Sequence, residues 1–415
     1  MGRSLSLAAY RALARRTAER DFKPASERPK GALVWIHAAE ADNLLAVQDL
    51  AQRLCAARFG LSVVITLPDE QSFDEAYENW VPHASIMLER TPSEHPDAVV
   101  AFWNHLHPDM VIWAWGDLRP NLVSHINEKK CPIALIDAET TAFGGKRDRW
   151  LPDLSRNMLE PFVALMVRSS AALKKLEALG LKTGRIDVTP PLKAGGYALP
   201  CEDSDLSDLS AQLRGRPVWL ASSVQQNELE TVLAAHKQAS RMSHRLLFIL
   251  HPAFPALVDE FKAKLTSDGI RFADWTQGDD LDDATQVLIA SEHHDLGLFY
   301  RISPVSFMGG SLRAGYRTRN PFEAAALGSA VLYGPNVRHF MPFYSRLAKA
   351  GAARIINDSD TLGAAVMRLI APDQAATMAH AGWDVVSQGA ALTDRVIDLV
   401  QSALDGELDS INART

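Results

Sequence analysis

From residue 31 onward the chain alternates short β-branched or aromatic apolar runs with longer amphipathic stretches, and it does so in two successive series. That alternation is the pattern of βαβ units, in which strands buried on both faces build a mainly parallel sheet and helices cover it. In the first series the runs predict strands at Ala32–His37, Ser62–Thr66, Ile86–Leu88, Met110–Ala114, Ile133–Asp137 and Ala164–Arg168. Helices fill the gaps. The clearest is Asn43–Arg58, where Leu44, Leu45, Val47, Leu50, Ala51 and Leu54 form a broad apolar stripe, and another spans Ser170–Leu179. The second series predicts strands at Val218–Ala221, Leu246–Leu250, Gln286–Ala290, Val305–Met308, Ala330–Tyr333 and Ala353–Ile356, then helices from Thr361 to Ala403.

The two series are separated by Pro190, Pro191, Gly195, Gly196 and Pro200, followed by the acidic, serine-rich run Glu202–Ser210, a composition suited to an exposed connection. A length of 415 residues also predicts two domains. The expected organisation is a basic helix over 1–23, a Rossmann-like domain over 24–195, a linker over 196–215 and a second Rossmann-like domain over 216–415. The fold class is α/β, and the ligand site of two such domains is expected in the cleft between them.

Charge and cysteine content exclude several functions. Forty-three Lys and Arg against fifty Asp and Glu leave a net charge of -7, which lacks the basic field that binds nucleic acid phosphates, so no nucleic acid partner is expected. Three separated cysteines, Cys55, Cys131 and Cys201, offer neither a disulfide framework nor a metal-ligand spacing and fit a reducing, cytoplasmic setting. No run reaches the roughly 18 to 20 apolar residues of a membrane-spanning helix. Nucleophile-elbow, zinc-protease and P-loop motifs are missing, and the adjacent His293 and His294 make a poor chelate and read as a surface pair.

Residues 1–23 carry Arg3, Arg11, Arg15, Arg16, Arg20 and Lys23 against only Glu19 and Asp21, with Leu5, Ala9, Tyr10 and Leu13 near one helical face. Two readings stand: a helix lying on an anionic membrane surface, or a short helix docked on its own domain. It is not a secretory signal, because no apolar core or cleavage site follows the charges.

The most informative stretch is Ser303–Phe340. Its strand ends in Gly309-Gly310-Ser311, which is expected to leave backbone N–H groups unobstructed at the carboxyl edge, although Gly-Gly is also an ordinary turn. Asn320-Pro321-Phe322-Glu323 has the grammar of a helix start, with Asn as N-cap, Pro at the first helical position and an acid closing a capping box. The same geometry aims N–H groups at a nucleotide phosphate, and Glu323 could instead accept hydrogen bonds from ribose hydroxyls. Arg313, Arg317 and Arg319 add positive charge just ahead, as either solvated loop residues or a donor-binding cluster.

These residues resemble the bacterial 3-deoxy-manno-octulosonic acid (Kdo) transferases of lipopolysaccharide synthesis. The resemblance rests on VWIHAAEADN ending at Asn43, RPN at 119–121, PLK at 191–193, ASS at 221–223 with Glu228, His251-Pro252, GGSL at 309–312, NPFEAAALG at 320–328 and GPNVRHF at 334–340, in this order over most of the chain. It implies a GT-B fold, with two Rossmann-like domains facing across a cleft. It also implies metal-independent transfer, without a cofactor, of Kdo or a related acidic sugar from a CMP-activated donor to a lipid A precursor, at the cytoplasmic face of the inner membrane.

By the same resemblance the CMP-binding stretch falls on Asn320, Pro321, Phe322 and Glu323, and the donor loop on Gly309, Gly310 and Ser311. Lys193 falls on the lysine that steadies the leaving group, and Ser222 and His251 join the donor set. The acceptor side departs from the family: its general-base glutamate, six residues after the histidine matching His37, falls on Asn43, which cannot accept a proton. Glu40 and Asp42 stand in the same turn as substitute carboxylates, while Asp42 or Asn43 also reads as a simple N-cap. In Trp115-Gly116-Asp117-Leu118-Arg119-Pro120-Asn121 one acid of a second family motif survives as Asp117 and another is replaced by Trp115. Three functions follow: an active Kdo transferase, a nucleotide-sugar-binding paralogue that has lost its base, and a nucleotide-sugar 2-epimerase sharing the architecture.

Overall fold

A computed structural model describes residues 5–40, 43–78, 80, 83–116, 118–140, 152–196 and 198–407. The chain divides into two units, one of residues 1–194 with 389–415 and the other of residues 195–388. Each is built on its own seven-stranded parallel sheet.

The first sheet comprises β1 (Ala32–Ala38), β2 (Leu61–Thr66), β3 (Ile86–Glu89), β4 (Met110–Ala114), β5 (Ile133–Ala138), β6 (Ala164–Val167) and β7 (Ile186–Val188), in the spatial order 3-2-1-4-5-6-7. β2, β4 and β5 are buried at every position, as expected of strands covered on both faces. Trp35, Trp113, Phe102 and Phe162 fill the space between this sheet and its helices. The second sheet comprises β8 (Val218–Val224), β9 (Leu247–Pro252), β10 (Phe272–Asp274), β11 (Val287–Ile289), β12 (Val305–Met308), β13 (Ala330–Tyr333) and β14 (Ala353–Ile355), in the order 10-11-9-8-12-13-14. The α/β, doubly wound class read from the sequence is the class observed.

Three features differ from the sequence reading. β7 and β10 are additional strands of three residues each, too short to write a periodic signal. The segment expected as a linker over 196–215 holds the helix Asp203–Leu213 within the second unit. Its acids, Asp203 and Asp205, occupy the first turn, where they complement the helix dipole, while Leu209 and Leu213 are buried. The third difference is at the C-terminus, where the helix Ala390–Leu404 belongs to the first unit and not to a domain running from 216 to 415. Arg395 pairs with Asp187 at 2.5 Å, Arg58 with Asp405 at 2.8 Å, and Gln401 Nε2 donates to the Ala57 carbonyl at 3.5 Å.

Within residues 1–23 the helix is Leu5–Thr17, and it rests on helices Pro96–Leu106, Pro120–Glu128 and Pro152–Leu159. Ala14 is buried, Leu7 touches the core, and Arg11 pairs with Glu128 at 2.7 Å. The helix is therefore docked on its own unit, with Leu13, Arg15 and Arg16 on the exposed side.

Candidate functional site

In an open parallel sheet ligands bind outside the carboxyl ends of the strands where the strand order reverses. That switch lies between β1 and β4 in the first unit and between β8 and β12 in the second. All the described candidate residues other than Lys193 and His251 come from the strands or loops at these two points, and each point is considered by itself.

At the first switch point β1 ends on His37 and Ala38, and the following turn carries Glu40 and Asn43. Glu40 is exposed, and Asn43 Nδ2 donates to its Oε2 at 3.2 Å. Asn43 precedes the helix Leu44–Ala57 but makes no capping hydrogen bond, so its amide serves Glu40 and not the helix. Asp42 and Asp117 lie outside the described residues. Behind the turn, Trp35 Nε1–H donates to Thr66 Oγ1 at 2.8 Å, and that oxygen is 2.9 Å from His37 Nδ1. Thr66 Oγ1 has a second lone pair and a hydroxyl proton to offer, so it engages Nδ1 in either tautomer of the ring. Burial first, and then the charge of Arg119, hold this ring well below its ordinary pKa, so it is neutral.

Further along the same edge Asp137 is fully buried and receives Arg168 in a bidentate pair, Nε to Oδ1 at 2.7 Å and an Nη to Oδ2 at 2.9 Å. Burial pushes the Asp137 carboxyl up; the Arg168 hydrogen bonds and the Leu192 N–H oppose that shift. Asp137 has φ 56° and Trp115 has φ 75°, backbone that non-glycine residues adopt at a cost and that gathers at functional sites. Leu192 is buried, and the next residue, Lys193, is exposed.

The second switch point is organised by Glu228. Its carboxylate is fully buried and accepts three backbone N–H groups, from Gln225 at 3.1 Å, Gly310 at 2.7 Å and Leu312 at 2.9 Å. The Gly309 N–H goes to the Ser222 carbonyl at 2.8 Å. The expectation that this loop offers unobstructed N–H groups therefore does not hold for Gly309 and Gly310. Their glycines serve close approach instead: a Cβ on Gly309 would stand 2.4 Å from the Ser223 carbonyl oxygen. Ser311 Oγ donates to the Met308 carbonyl and accepts the Gly334 N–H at 2.7 Å. Ser222 is buried, with its Oγ accepting from Tyr300 at 3.0 Å.

Asn320 caps the helix Pro321–Ala326 as expected, its Oδ1 accepting the Phe322 N–H at 3.0 Å. Glu323 does not close a capping box. Its Oε2 accepts Arg319 Nε at 2.8 Å, because an arginine four residues earlier outcompetes the neutral N-cap N–H. Pro321 and Phe322 are buried, and Phe322 stacks on Phe343 at 4.4 Å. His251 is buried at the end of β9; its Nδ1 accepts the Ser223 N–H at 3.2 Å, and its Nε2 has no partner among the described residues. Burial, His293 and Arg319 lower its pKa to about 3.

Residues 14–195 match the family model described as 3-deoxy-D-manno-octulosonic-acid transferase (kdotransferase). The 3-deoxy-D-manno-octulosonic acid transferase of Haemophilus influenzae is 23% identical over 383 residues, which is 91% of this chain and 88% of that protein. The corresponding protein of Bordetella pertussis is 26% identical over 393 residues, again 91% and 88%. The chain is thus similar to Kdo transferases over most of its length. Among solved structures, the C-terminal CMP-Kdo binding domain of WaaA from Acinetobacter baumannii is similar over 44% of this chain and 96% of that chain, at 22% identity and a TM-score of 0.42.

Several residues at the two edges escaped the sequence reading: Arg119, the Asp137–Arg168 pair and the clamping role of Glu228. Two of these had a signal. ALIDA and ALMVR are neighbouring strands that end in opposite charges, and Gln225-Gln226-Asn227-Glu228 has capping-box spacing, which the structure realises.

Proposed function

We propose that this chain is a glycosyltransferase that moves Kdo from CMP-Kdo to a lipid A precursor in lipopolysaccharide synthesis. The observation that carries the reading is the relationship to Kdo transferases over nine-tenths of the chain. An acceptor hydroxyl attacks the anomeric carbon of Kdo, the bond from that carbon to the phosphate oxygen breaks with inversion, CMP leaves, and the hydroxyl proton passes to a carboxylate. Glu40 takes the base role, since its carboxylate stands at the sheet edge with Asn43 Nδ2 orienting one oxygen and leaving the other to accept the proton. Asp42 and Asp117 are the alternative carboxylates.

On the donor side CMP sits at the second switch point. Asn320, Pro321 and Phe322 set the short helix start toward its phosphate, Glu323 keeps Oε1 for the ribose hydroxyls, and Gly309, Gly310, Ser311, Ser222 and His251 shape the floor. Lys193 steadies the departing phosphate. Among the described residues no helix is long and apolar enough to cross a membrane. Leu13, Arg15 and Arg16 face outward from the N-terminal helix, and this side takes the anionic inner membrane surface on its cytoplasmic face.

The test is purified full-length chain with CMP-Kdo and a lipid A precursor, following CMP release and the mass of the glycolipid. No CMP above the enzyme-free control defeats the reading. A second reading is favoured by Asn43: a paralogue that binds the nucleotide sugar without turnover. It predicts CMP binding with no transfer, and transfer appearing in Asn43→Glu.

A further inference from the structure

Arg119 stands at the first switch point, on the loop between β4 and the helix Pro120–Glu128. Its side chain is 22% exposed, yet its guanidinium makes no hydrogen bond to any described residue, and one of its Nη atoms is shut off from solvent without a partner. A buried donor left unmet on a cation is costly, and such groups are ordinarily satisfied.

The described carboxylate that pairs with it, Glu94, does not meet this need. Glu94 Oε1 is 3.9 Å from Arg119 Nε, beyond hydrogen-bonding distance. Glu94 is committed elsewhere: it accepts the N–H groups of Asn121 at 2.8 Å and Leu122 at 3.3 Å and the hydroxyl of Tyr10, and burial pushes its carboxyl up. Near enough to feel the charge of Arg119 is His37, neutral, with its Nδ1 engaged by Thr66. The edge of β1 and the edge of β4 thus bring together a guanidinium with one buried, unpartnered Nη and a neutral imidazole at the place where sheet topology independently puts a ligand.

We propose that Arg119 and His37 Nε2–H form a subsite for an oxyanion, and that this oxyanion belongs to the acceptor. The guanidinium fork supplies charge and paired donors, while the neutral imidazole supplies one donor in its Nε2–H tautomer. The assignment to the acceptor rests on the transferase reading above; the anion site itself does not. Two groups share this chemistry: a phosphate on the acceptor sugar, or the carboxylate of an acidic sugar already attached to it.

The experiment has a binding arm and a kinetic arm. In the first, inorganic phosphate is titrated calorimetrically into the full chain saturated with CMP, so that the nucleotide site is blocked. Arg119→Gln should weaken phosphate binding tenfold or more, roughly the loss expected for hydrogen bonds to a charged group, with CMP affinity unchanged. Arg119→Lys should fall between the two. Should the glutamine variant melt below the assay temperature, Arg119→Met, apolar and of similar volume, reads the same loss. A folded variant that binds phosphate like the parent overturns the proposal. In the second arm the KM for acceptor should rise tenfold or more in Arg119→Gln, with the donor KM unmoved. Loss of that difference on dephosphorylated acceptor identifies the phosphate, and its loss only when the sugar carboxyl is reduced identifies the carboxylate. Anion binding that depends on Arg119 in a chain without transfer activity leaves the subsite standing and removes the transferase reading. Transfer whose acceptor KM ignores Arg119 does the reverse.

Discussion

The carboxylate of Glu228 holds the Gly310 N–H at 2.7 Å across 82 residues of sequence, and its second oxygen holds the Leu312 N–H at 2.9 Å. One buried acid thereby fixes both the turn after β8 and the glycine loop after β12. Glu228→Gln keeps the size of the group but replaces an acceptor with an NH₂ donor facing backbone N–H groups. We expect a loss of about 1–3 kcal/mol in urea denaturation, together with weaker CMP binding in calorimetry. A variant matching the parent in both would remove Glu228 as the organiser of this loop.

Gly309 is the partner of that clamp. Its Cβ position lies 2.4 Å from the Ser223 carbonyl oxygen, and this neighbour is backbone, not a flexible side-chain tip. Ser223 itself has φ 56°, so it has little freedom to yield. Gly309→Ala should cost at least the usual overpacking penalty of about 1–3 kcal/mol, read as a lowered midpoint in denaturant. An unchanged midpoint would show that β8 moves aside easily.

The contrast between strands and loops explains what could be read from sequence. β4 and β12 were legible to the residue because Met110–Ala114 and Val305–Met308 are short apolar runs buried throughout. The Asn320 cap was legible because its grammar is local, three residues wide. Glu228 was not, because its meaning depends on which loop topology lays against it. Glu323 misled because two local partners, the Asn320 N–H and Arg319, compete for one carboxylate, and spacing alone does not say which wins. Arg119 was silent for the same reason as Glu228: what distinguishes it is a buried Nη with no partner among the described residues, a property of three dimensions.

His251 gives a pH signature. Its pKa falls from 6.5 in the unfolded chain to about 3 in the folded one, through burial and then His293 and Arg319. A depressed folded pKa means that the unfolded state binds the extra proton, so its stabilising contribution is present above pH 6.5 and is lost as pH falls toward 3. The slope should reach about 1.4 kcal/mol per pH unit. His236, lowered to about 4 mainly by burial, adds in the same sense. His251→Asn, whose Oδ1 can still accept the Ser223 N–H, should flatten the stability profile between pH 6.5 and 4 whatever it does to the baseline. Denaturation midpoints across that range check this, and parallel profiles for parent and variant would contradict it.

In the first unit the fully buried Asp137 is paired with the part-buried Arg168. Removing Arg168 leaves a fully buried carboxylate with the Leu192 N–H but no counter-charge, so Arg168→Leu should cost about 3–5 kcal/mol. The double variant Asp137→Asn with Arg168→Leu should recover part of this, because no uncompensated charge remains. A single variant as stable as the parent would mean that Asp137 takes up a proton at little cost.

Glu40 decides between the two readings of the acceptor side. Its carboxylate is the described acid in the turn after β1, and Asn43 Nδ2 holds Oε2 at 3.2 Å, so Oε1 is the oxygen left to receive a proton. Glu40→Gln keeps the hydrogen-bonding shape but abolishes the basicity. If Glu40 is the base, kcat should fall by about 10²–10⁴, the range of general-base catalysis, while CMP affinity stays within twofold because the proposed nucleotide site is on the second unit. Retained kcat in Glu40→Gln would pass the role to Asp42 or Asp117, and Asp42→Asn and Asp117→Asn would then show which one carries the activity.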